Sequence, residues 1–353
     1  MTMSTPATKP ARGPGPAEKF TPKLVTVLRE GYGLRAMRAD VLAGLTVAVV
    51  ALPLSMAIAI ASGVTPAQGL ATAIVGGFLV SALGGSRHQI GGPAGTFIVL
   101  VSATVAAHGV EGLVLATFLS GLMLMAAGWL RLGTFVKFIP FPVTMGFTAG
   151  IAVIIFASQV RELLGLTLSR EPGPLLEKLS VLWAALPGYN PMAVAVAAGT
   201  VAVILFFRRF RPHWPGMLIA VAGAAALTAV LALPVATIGT RFGGIPSDLP
   251  APSLPQLSWG QIAAVQPAAL SFTLLGAIES LLSAVVADGM SGRRHRSNAE
   301  LVAQGVANIG SALFGGFCVT GTIARTATNV LERDGFIRNH SLRSGCSFRI
   351  RAG

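Results

Sequence analysis

"FGGFCVTGTIARTATN", residues 314–329, decides the fold of this chain. Paired glycines lead into small and apolar residues, and then into a helix start that carries Thr320, Thr322 and Arg325. The run is short for a membrane span, which needs about 20 apolar residues. Helix starts expose free backbone N–H groups and a partial positive charge. The stretch therefore predicts a half-helix that begins inside the membrane.

A second stretch repeats this design near the other end of the chain. "HQIGGPAGTFIVLVSATVAA", residues 88–107, has Gly91, Gly92 and Pro93 ahead of a short apolar run. Pro93 suits the first turn of a helix, where its missing N–H costs nothing. Taken alone, the run fits a half-helix or an ordinary short span with a glycine-rich entry loop. Two such interrupted segments in corresponding halves indicate a transporter's binding site, and facing helix starts favour an anion.

Two charged residues fall inside apolar runs. Arg325 would cost at least about 2.5 kcal/mol if unpaired in a span, so it should face a polar cavity or a bound anion. Glu279 lies in the middle of the run 271–292 and is a candidate proton carrier or cation ligand. Ser283, one turn away, could complete a small cation site. The alternative is a salt bridge between Glu279 and Arg325, or a hydrogen bond to a neighbouring helix; Asp288, at the cytoplasmic end, is predicted to be structural.

The composition places the chain in a membrane. The chain is 53% hydrophobic and 11% charged with a mean hydropathy of +0.72, whereas a soluble domain has about 25% charged residues. No cleavable targeting segment is evident. The two cysteines suggest no disulfide framework, and no His, Cys or carboxylate cluster has metal-ligand spacing, so we expect no metal and no cofactor. We also expect a non-enzyme.

The apolar runs and the positive charges predict the membrane topology. The predicted spans are 41–62, 67–84, 93–107, 112–130, 140–160, 192–207, 215–233, 263–287, 300–315 and a tenth that begins near 320. With a cytoplasmic N-terminus, sixteen Lys and Arg residues lie on the cytoplasmic side and four on the outer side. This asymmetry follows the positive-inside rule, so the net charge of +13 does not indicate nucleic acid. Residues 1–38 are predicted to be a disordered basic tail, and 239–261 an extended loop.

Several segments resemble the SulP family of anion transporters. The resemblance runs from about residue 40 to 330 and rests on ESLL (279–282), NAEL (298–301) and TGTIARTATN (320–329). The family includes bacterial sulfate, bicarbonate and C4-dicarboxylate carriers, and the animal protein prestin. It implies an all-α polytopic membrane fold of two inverted seven-span repeats, here a domain over 39–330 with about ten spans, two of them half-helices, and an incomplete second repeat.

The resemblance also implies site residues. It places the anion at Ala94, Gly95 and Thr96 of the first half-helix and at Gly321, Thr322, Ala324 and Arg325 of the second. It places the coupling ion at Glu279, with Ser283 beside it. Many family members have Gln after the Leu-Pro of the first span, where this chain has Leu54. This departure weakens the expectation that the first span contributes a polar side chain to the substrate, although Ser55 is adjacent.

The segment 331–353 departs from the family. It has no hydrophobic period, whereas the family continues into four more spans and usually a STAS domain. The sequence therefore predicts an aberrant polar tail, as from a shifted reading frame, and weak or absent transport by the chain as it stands.

The leading functional hypothesis is secondary active transport of inorganic anions, most plausibly sulfate, or small carboxylates. We expect coupling to H+ or Na+ in the inner membrane of a bacterium. The alternatives are a truncated, non-transporting remnant and a nucleobase carrier of the same architecture, against which the Arg325 segment argues. The expected partners are a small anion, H+ or Na+, the lipid bilayer and, as a possible homodimer, a second copy of the chain.

Overall fold

A computed structural model describes residues 20–134, 141–168, 175–211, 214, 216–237, 239–240, 248–331 and 333. The helices are α1 (Lys23–Arg29), α2 (Leu34–Ala61), α3 (Pro66–Ala71), α4 (Gly77–Leu83), α5 (Ile98–Trp129), α6 (Phe141–Leu164), α7 (Leu175–Ala185), α8 (Pro191–Phe210), α9 (Gly216–Val230), α10 (Trp259–Ser291), α11 (Ser297–Leu313) and α12 (323–331). The strands are β1 (Gly91–Gly92) and β2 (Thr320–Gly321). A π-helical turn joins α3 to α4, and a 3-10 turn, Gly95–Phe97, leads into α5.

The helices confirm a polytopic membrane fold. Among the described residues, five helical segments are long and apolar enough to cross a membrane: Ala36–Ala61, Pro66–Leu83, Gly95–Trp129, Pro191–Phe210 and Trp259–Ser291. Helices α6, α9 and α11 fall on three further predicted spans. Helix α7 was not predicted, because its sequence mixes Glu177 and Lys178 with leucines and lacks the length of a span.

The predicted spans 93–107 and 112–130 form one kinked element. Helix α5 contains Gly109 with a φ of 69°, outside the helical region. Glycine adopts this left-handed conformation without the steric cost of a Cβ. The chain therefore turns at Gly109 and continues as a second helical segment to Trp129.

The predicted disorder of residues 1–38 is corrected over 20–38. Helix α1 lies there, and α2 begins before residue 38. The backbone N–H of Lys23 donates to Gly84 O at 2.9 Å, and Arg296 Nη1 donates to Thr26 Oγ1 at 2.9 Å. These contacts to two loops offset the loss of chain entropy that would otherwise favour disorder. Residues 1–19 and 334–353, and with them most of the predicted polar tail, lie outside the described residues.

Helices α10 and α11 pack along α5 and form the support for the site. Glycines allow the close approach of α5 and α11: a Cβ on Gly305 would lie 2.6 Å from Gly121 O. Such contacts between small residues are how helices associate in lipid, which is itself apolar. The ring of Phe97, the last residue of the 3-10 turn before α5, lies 6.0 Å from the ring of Phe272 in α10, and each residue is about 1% exposed.

Candidate functional site

A short antiparallel ladder brings the starts of two helices together. Strand β1 pairs with β2, with Gly91 opposite Gly321 and Gly92 opposite Thr320. β1 precedes the 3-10 turn into α5, and β2 precedes α12. Because both strands lead into a helix, the free N–H groups at the two helix starts lie in the same region. The ladder thus forms the arrangement that the two glycine-interrupted segments predicted.

Polar side chains satisfy the extended backbone ahead of β2. Asn308 Nδ2 donates to Val319 O at 2.8 Å, and Asn308 Oδ1 accepts from the N–H of Val319 at 3.0 Å. Ser311 Oγ donates to Phe317 O at 2.7 Å, and Thr72 Oγ1 accepts from the N–H of Phe317 at 2.9 Å. Non-helical backbone at membrane depth is stable only when protein groups satisfy it. Two side chains of α11, together with Thr72 of the π-helical turn, therefore make the interruption possible.

One face of α12 holds the segment ahead of β1. The Thr322 N–H donates to Ile90 O at 3.0 Å, and Thr326 Oγ1 accepts from the Ile90 N–H at 3.0 Å. Asn329 Nδ2 donates to His88 O at 2.9 Å. The spacing from Thr322, directly ahead of α12, to Thr326 and Asn329 within it is four and three positions, which places the three residues on one helix face. The beginning of the first half-helix is consequently fixed by the second.

The Arg325 guanidinium is buried beside the ladder. The residue is 4% exposed; its Nη2 donates to Ser55 Oγ at 3.1 Å and to Pro93 O at 3.3 Å, and its Nε has no hydrogen-bond partner. The first span thus supplies a hydrogen-bond partner to Arg325, through Ser55, although Ser55 does not line the cavity described below. A Cβ on Gly92 would overlap Arg325 Nη1. The guanidinium therefore has an unused Nε–H donor in a buried position.

Glu279 contacts the start of the first half-helix. It is 4% exposed, and its Oε2 accepts a hydrogen bond of 2.5 Å from Thr96 Oγ1. The structure describes both Glu279 and Arg325, and no ion pair joins them. Of the two alternatives, the salt bridge is therefore absent and the hydrogen bond is present. Ser283 Oγ donates instead to Thr326 Oγ1 at 3.2 Å.

The acid and the base line one cavity. It has a volume of about 210 Å³. Six predicted site residues line it: Ala94, Gly95, Glu279, Thr322, Ala324 and Arg325. Thr96, Gly321 and Ser283 lie outside the lining. The other lining residues are Leu54, Ile58, Pro93, Ile98, Ala152, Gln159 and Ile323. The roles of these residues in binding remain predictions.

Sequence reasoning missed a second buried carboxylate. Glu300 is 0% exposed, and its Oε2 accepts from the N–H groups of Gly85 at 2.8 Å and Ser86 at 3.1 Å. Gln304 Nε2 donates to Glu300 Oε1 at 3.2 Å. The sequence signal that could have indicated this buried carboxylate is the position of Glu300 in an apolar run, one helix turn before Gln304. Asp288 accepts from the ring and backbone nitrogens of His295, which fits its predicted structural role.

Comparisons with known proteins identify the family of the chain. The profile described as "Sulfate permease family" matches residues 37–332. The putative sulfate transporter YvdB of Bacillus subtilis is 43% identical over 303 residues, which is 85% of this chain and 57% of that protein. The bicarbonate transporter BicA of Picosynechococcus sp. is 32% identical over 306 residues, 84% of this chain and 54% of that protein. The chain thus spans about half the length of the curated relatives it matches.

Two solved structures have the same fold. The transmembrane domain of a cyanobacterium bicarbonate transporter BicA aligns with a TM-score of 0.70 and 30% identity, covering 88% of this chain and 82% of that one. The overall structure of SLC26A9 aligns with a TM-score of 0.68 and 17% identity, covering 89% and 54%. At that lower identity the likeness concerns the fold alone.

Proposed function

We propose an anion-transport function from one premise: this chain belongs to the sulfate permease family, as its resemblance to SulP proteins predicted. The proposed activity is secondary active transport of a small anion, with sulfate as the leading substrate and with H+ or Na+ as the coupling ion. The proposed location is a bacterial inner membrane.

The observation that carries the proposal is the cavity between the two half-helices. The β1–β2 ladder aims two helix starts at one region, and Arg325 adds a full positive charge there. Backbone N–H groups at helix starts bind anions because they are free donors and carry a partial positive charge. Apolar lining residues limit the competing water, which strengthens the attraction between the guanidinium and an anion.

Glu279 supplies the proposed coupling group. Its carboxylate lies in the same cavity as Arg325 without pairing to it. An anion held at Arg325 and a negative carboxylate repel each other across a low-dielectric cavity. Protonation or a bound cation at Glu279 removes this repulsion. Binding of the anion and of the coupling ion therefore favour each other, as linkage requires.

The relatives support the choice of substrate class. YvdB is described as a putative sulfate transporter and BicA as a bicarbonate transporter. Both substrates are small oxyanions. The cavity of about 210 Å³ is smaller than the pockets of about 300 Å³ or more that hold drug-sized ligands, so its size suits a small anion. Sulfate is preferred because the relative with 43% identity carries that description.

Uptake by purified protein in liposomes tests the proposal. Because the chain spans about half of its relatives, we would assay the 353-residue chain beside a chimera that continues, after Asn329, with the remaining part of YvdB. We expect the chimera to accumulate labelled sulfate, with competition by unlabelled sulfate and not by uracil. Uptake by neither protein would contradict transport, and uracil competition would favour the nucleobase carrier. The same pair tests whether residues after 330 weaken transport.

Protease protection tests the proposed orientation. The excess of Lys and Arg in the connections assigned to the cytoplasm predicts a cytoplasmic N-terminus. Protease added outside intact cells should leave residues 1–19 uncut, and protease added to inverted vesicles should remove them. Cleavage in intact cells would reverse the assignment of the two sides.

A further inference from the structure

Helix α6 contributes one polar side chain to the cavity. Gln159 and Ala152 are seven residues apart, close to two full turns, and both line the cavity from the same helix face. The other polar lining residues come from α10 and from the second half-helix: Glu279, Thr322 and Arg325. Gln159 is thus the polar group that a different wall presents to the same space.

The hydrogen bonds around the cavity leave Gln159 uncommitted. Glu279 accepts a hydrogen bond from Thr96, and Arg325 Nη2 donates to Ser55 and Pro93. Thr322 donates to Ile90 O. No hydrogen bond joins the Gln159 side chain to any residue within the described ranges, although the residue is half-buried. Ala152, the other α6 residue that lines the cavity, is apolar. A primary amide in such a position has two N–H donors available for a ligand.

We propose that Gln159 determines specificity by donating its amide N–H groups to the oxygens of an oxyanion that Arg325 holds from another wall. This inference rests on the proposed function. An oxyanion such as sulfate or bicarbonate carries several acceptor oxygens that point in different directions. Arg325 and the two helix starts donate to the oxygens on their own side of the cavity. Donors from α6 complete the coordination of the others.

The chemistry predicts selectivity and not only affinity. A halide is a single spherical acceptor that Arg325 and the helix starts can satisfy from one side. An oxyanion whose far oxygens face an apolar wall instead loses hydrogen bonds that water would have supplied. One lost hydrogen bond to a charged group corresponds to at least about tenfold in affinity. Gln159 therefore raises the affinity for oxyanions over chloride without adding a net charge.

Equilibrium binding to the purified 353-residue chain in detergent tests the inference, because binding does not require transport. We would measure labelled sulfate and its displacement by chloride for the wild type, Gln159→Leu and the control Gln261→Leu. Gln261 is an exposed residue that lines a separate cavity. We expect Gln159→Leu to raise the Kd for sulfate at least about tenfold, while the Kd for chloride changes less than about twofold. The control should match the wild type.

Each other result overturns a stated claim. An unchanged sulfate Kd in Gln159→Leu, or equal losses for sulfate and chloride, would overturn the role of Gln159. A wild-type chain that binds neither anion would instead contradict the proposed anion site itself. Thermal unfolding of the three proteins checks the fold; Leu in place of Gln adds apolar surface to a membrane helix and should not lower the unfolding temperature.

Discussion

Glu279→Gln is expected to abolish concentrative uptake while anion exchange continues. The substitution keeps the size of the side chain and a hydrogen-bonding partner for Thr96, whose Oγ1 lies 2.5 Å from Glu279 Oε2. It removes the charge and the titration through which a proton or cation would be coupled. With the membrane potential held at zero, one proton per anion supports about tenfold accumulation for each unit of pH gradient, whatever the charge of the anion. The variant should bring the accumulation ratio to about 1.

The measurement is uptake by the chimera in liposomes, with imposed proton and sodium gradients tested separately. Glu111→Gln is the matched control, because Glu111 is exposed near the kink of α5 and lies outside the Arg325 cavity. If Glu279→Gln keeps gradient-driven accumulation, Glu279 is not the coupling residue. If the variant loses anion exchange and its unfolding temperature also falls, the hydrogen bond to Thr96 stabilises the fold rather than serving the coupling.

Gly92→Ala is expected to weaken anion binding strongly without unfolding the chain. Gly92 has a φ of 156°, which glycine adopts far more readily than alanine, and a Cβ at this position would overlap Arg325 Nη1. The Arg325 side chain is flexible, so it would move away and break its contacts to Ser55 and Pro93. We expect the Kd for sulfate to rise at least about tenfold, the size of one lost hydrogen bond to a charged group.

Gly109→Ala separates backbone strain from displacement of the guanidinium. Gly109 also has a positive φ, 69°, but no atom would lie within 4 Å of its Cβ. Both substitutions should lower the unfolding temperature by a few degrees, since a non-glycine residue at positive φ costs on the order of 1–2 kcal/mol. Only Gly92→Ala should change the sulfate Kd. Equal binding by the two variants would show that the position of Arg325 does not set the affinity.

Local sequence signals were sufficient for the membrane architecture. Apolar runs of span length, paired glycines ahead of short helices, and charges inside apolar runs all depend on residues close in sequence. The local pattern had already singled out Thr322 and Arg325. The family resemblance added Ala94, Gly95 and Ala324, and all five residues line one cavity. The limit of the disordered tail was wrong over 20–38, because contacts to distant loops order that segment.

The partners of the charged residues could not be derived in this way. Thr96 and Glu279 are 183 positions apart, and Ser55 and Arg325 are 270 positions apart. Sequence reasoning left open whether Glu279 pairs with Arg325 or with a neutral group. It missed Gln159 because a lone glutamine near the end of an apolar helix has no pattern that indicates which way it faces.

The sequence by itself determined that this chain crosses the membrane and interrupts its helices twice, because lipid tolerates only internally bonded backbone and few charges. The tertiary structure decided which groups share the resulting cavity. The β1–β2 register and the bonds from Asn308 and Thr326 fix the two helix starts against each other. Glu279, Arg325 and Gln159 come from three separate helices and meet only once those helices pack, so their distances depend on contacts that no local segment contains.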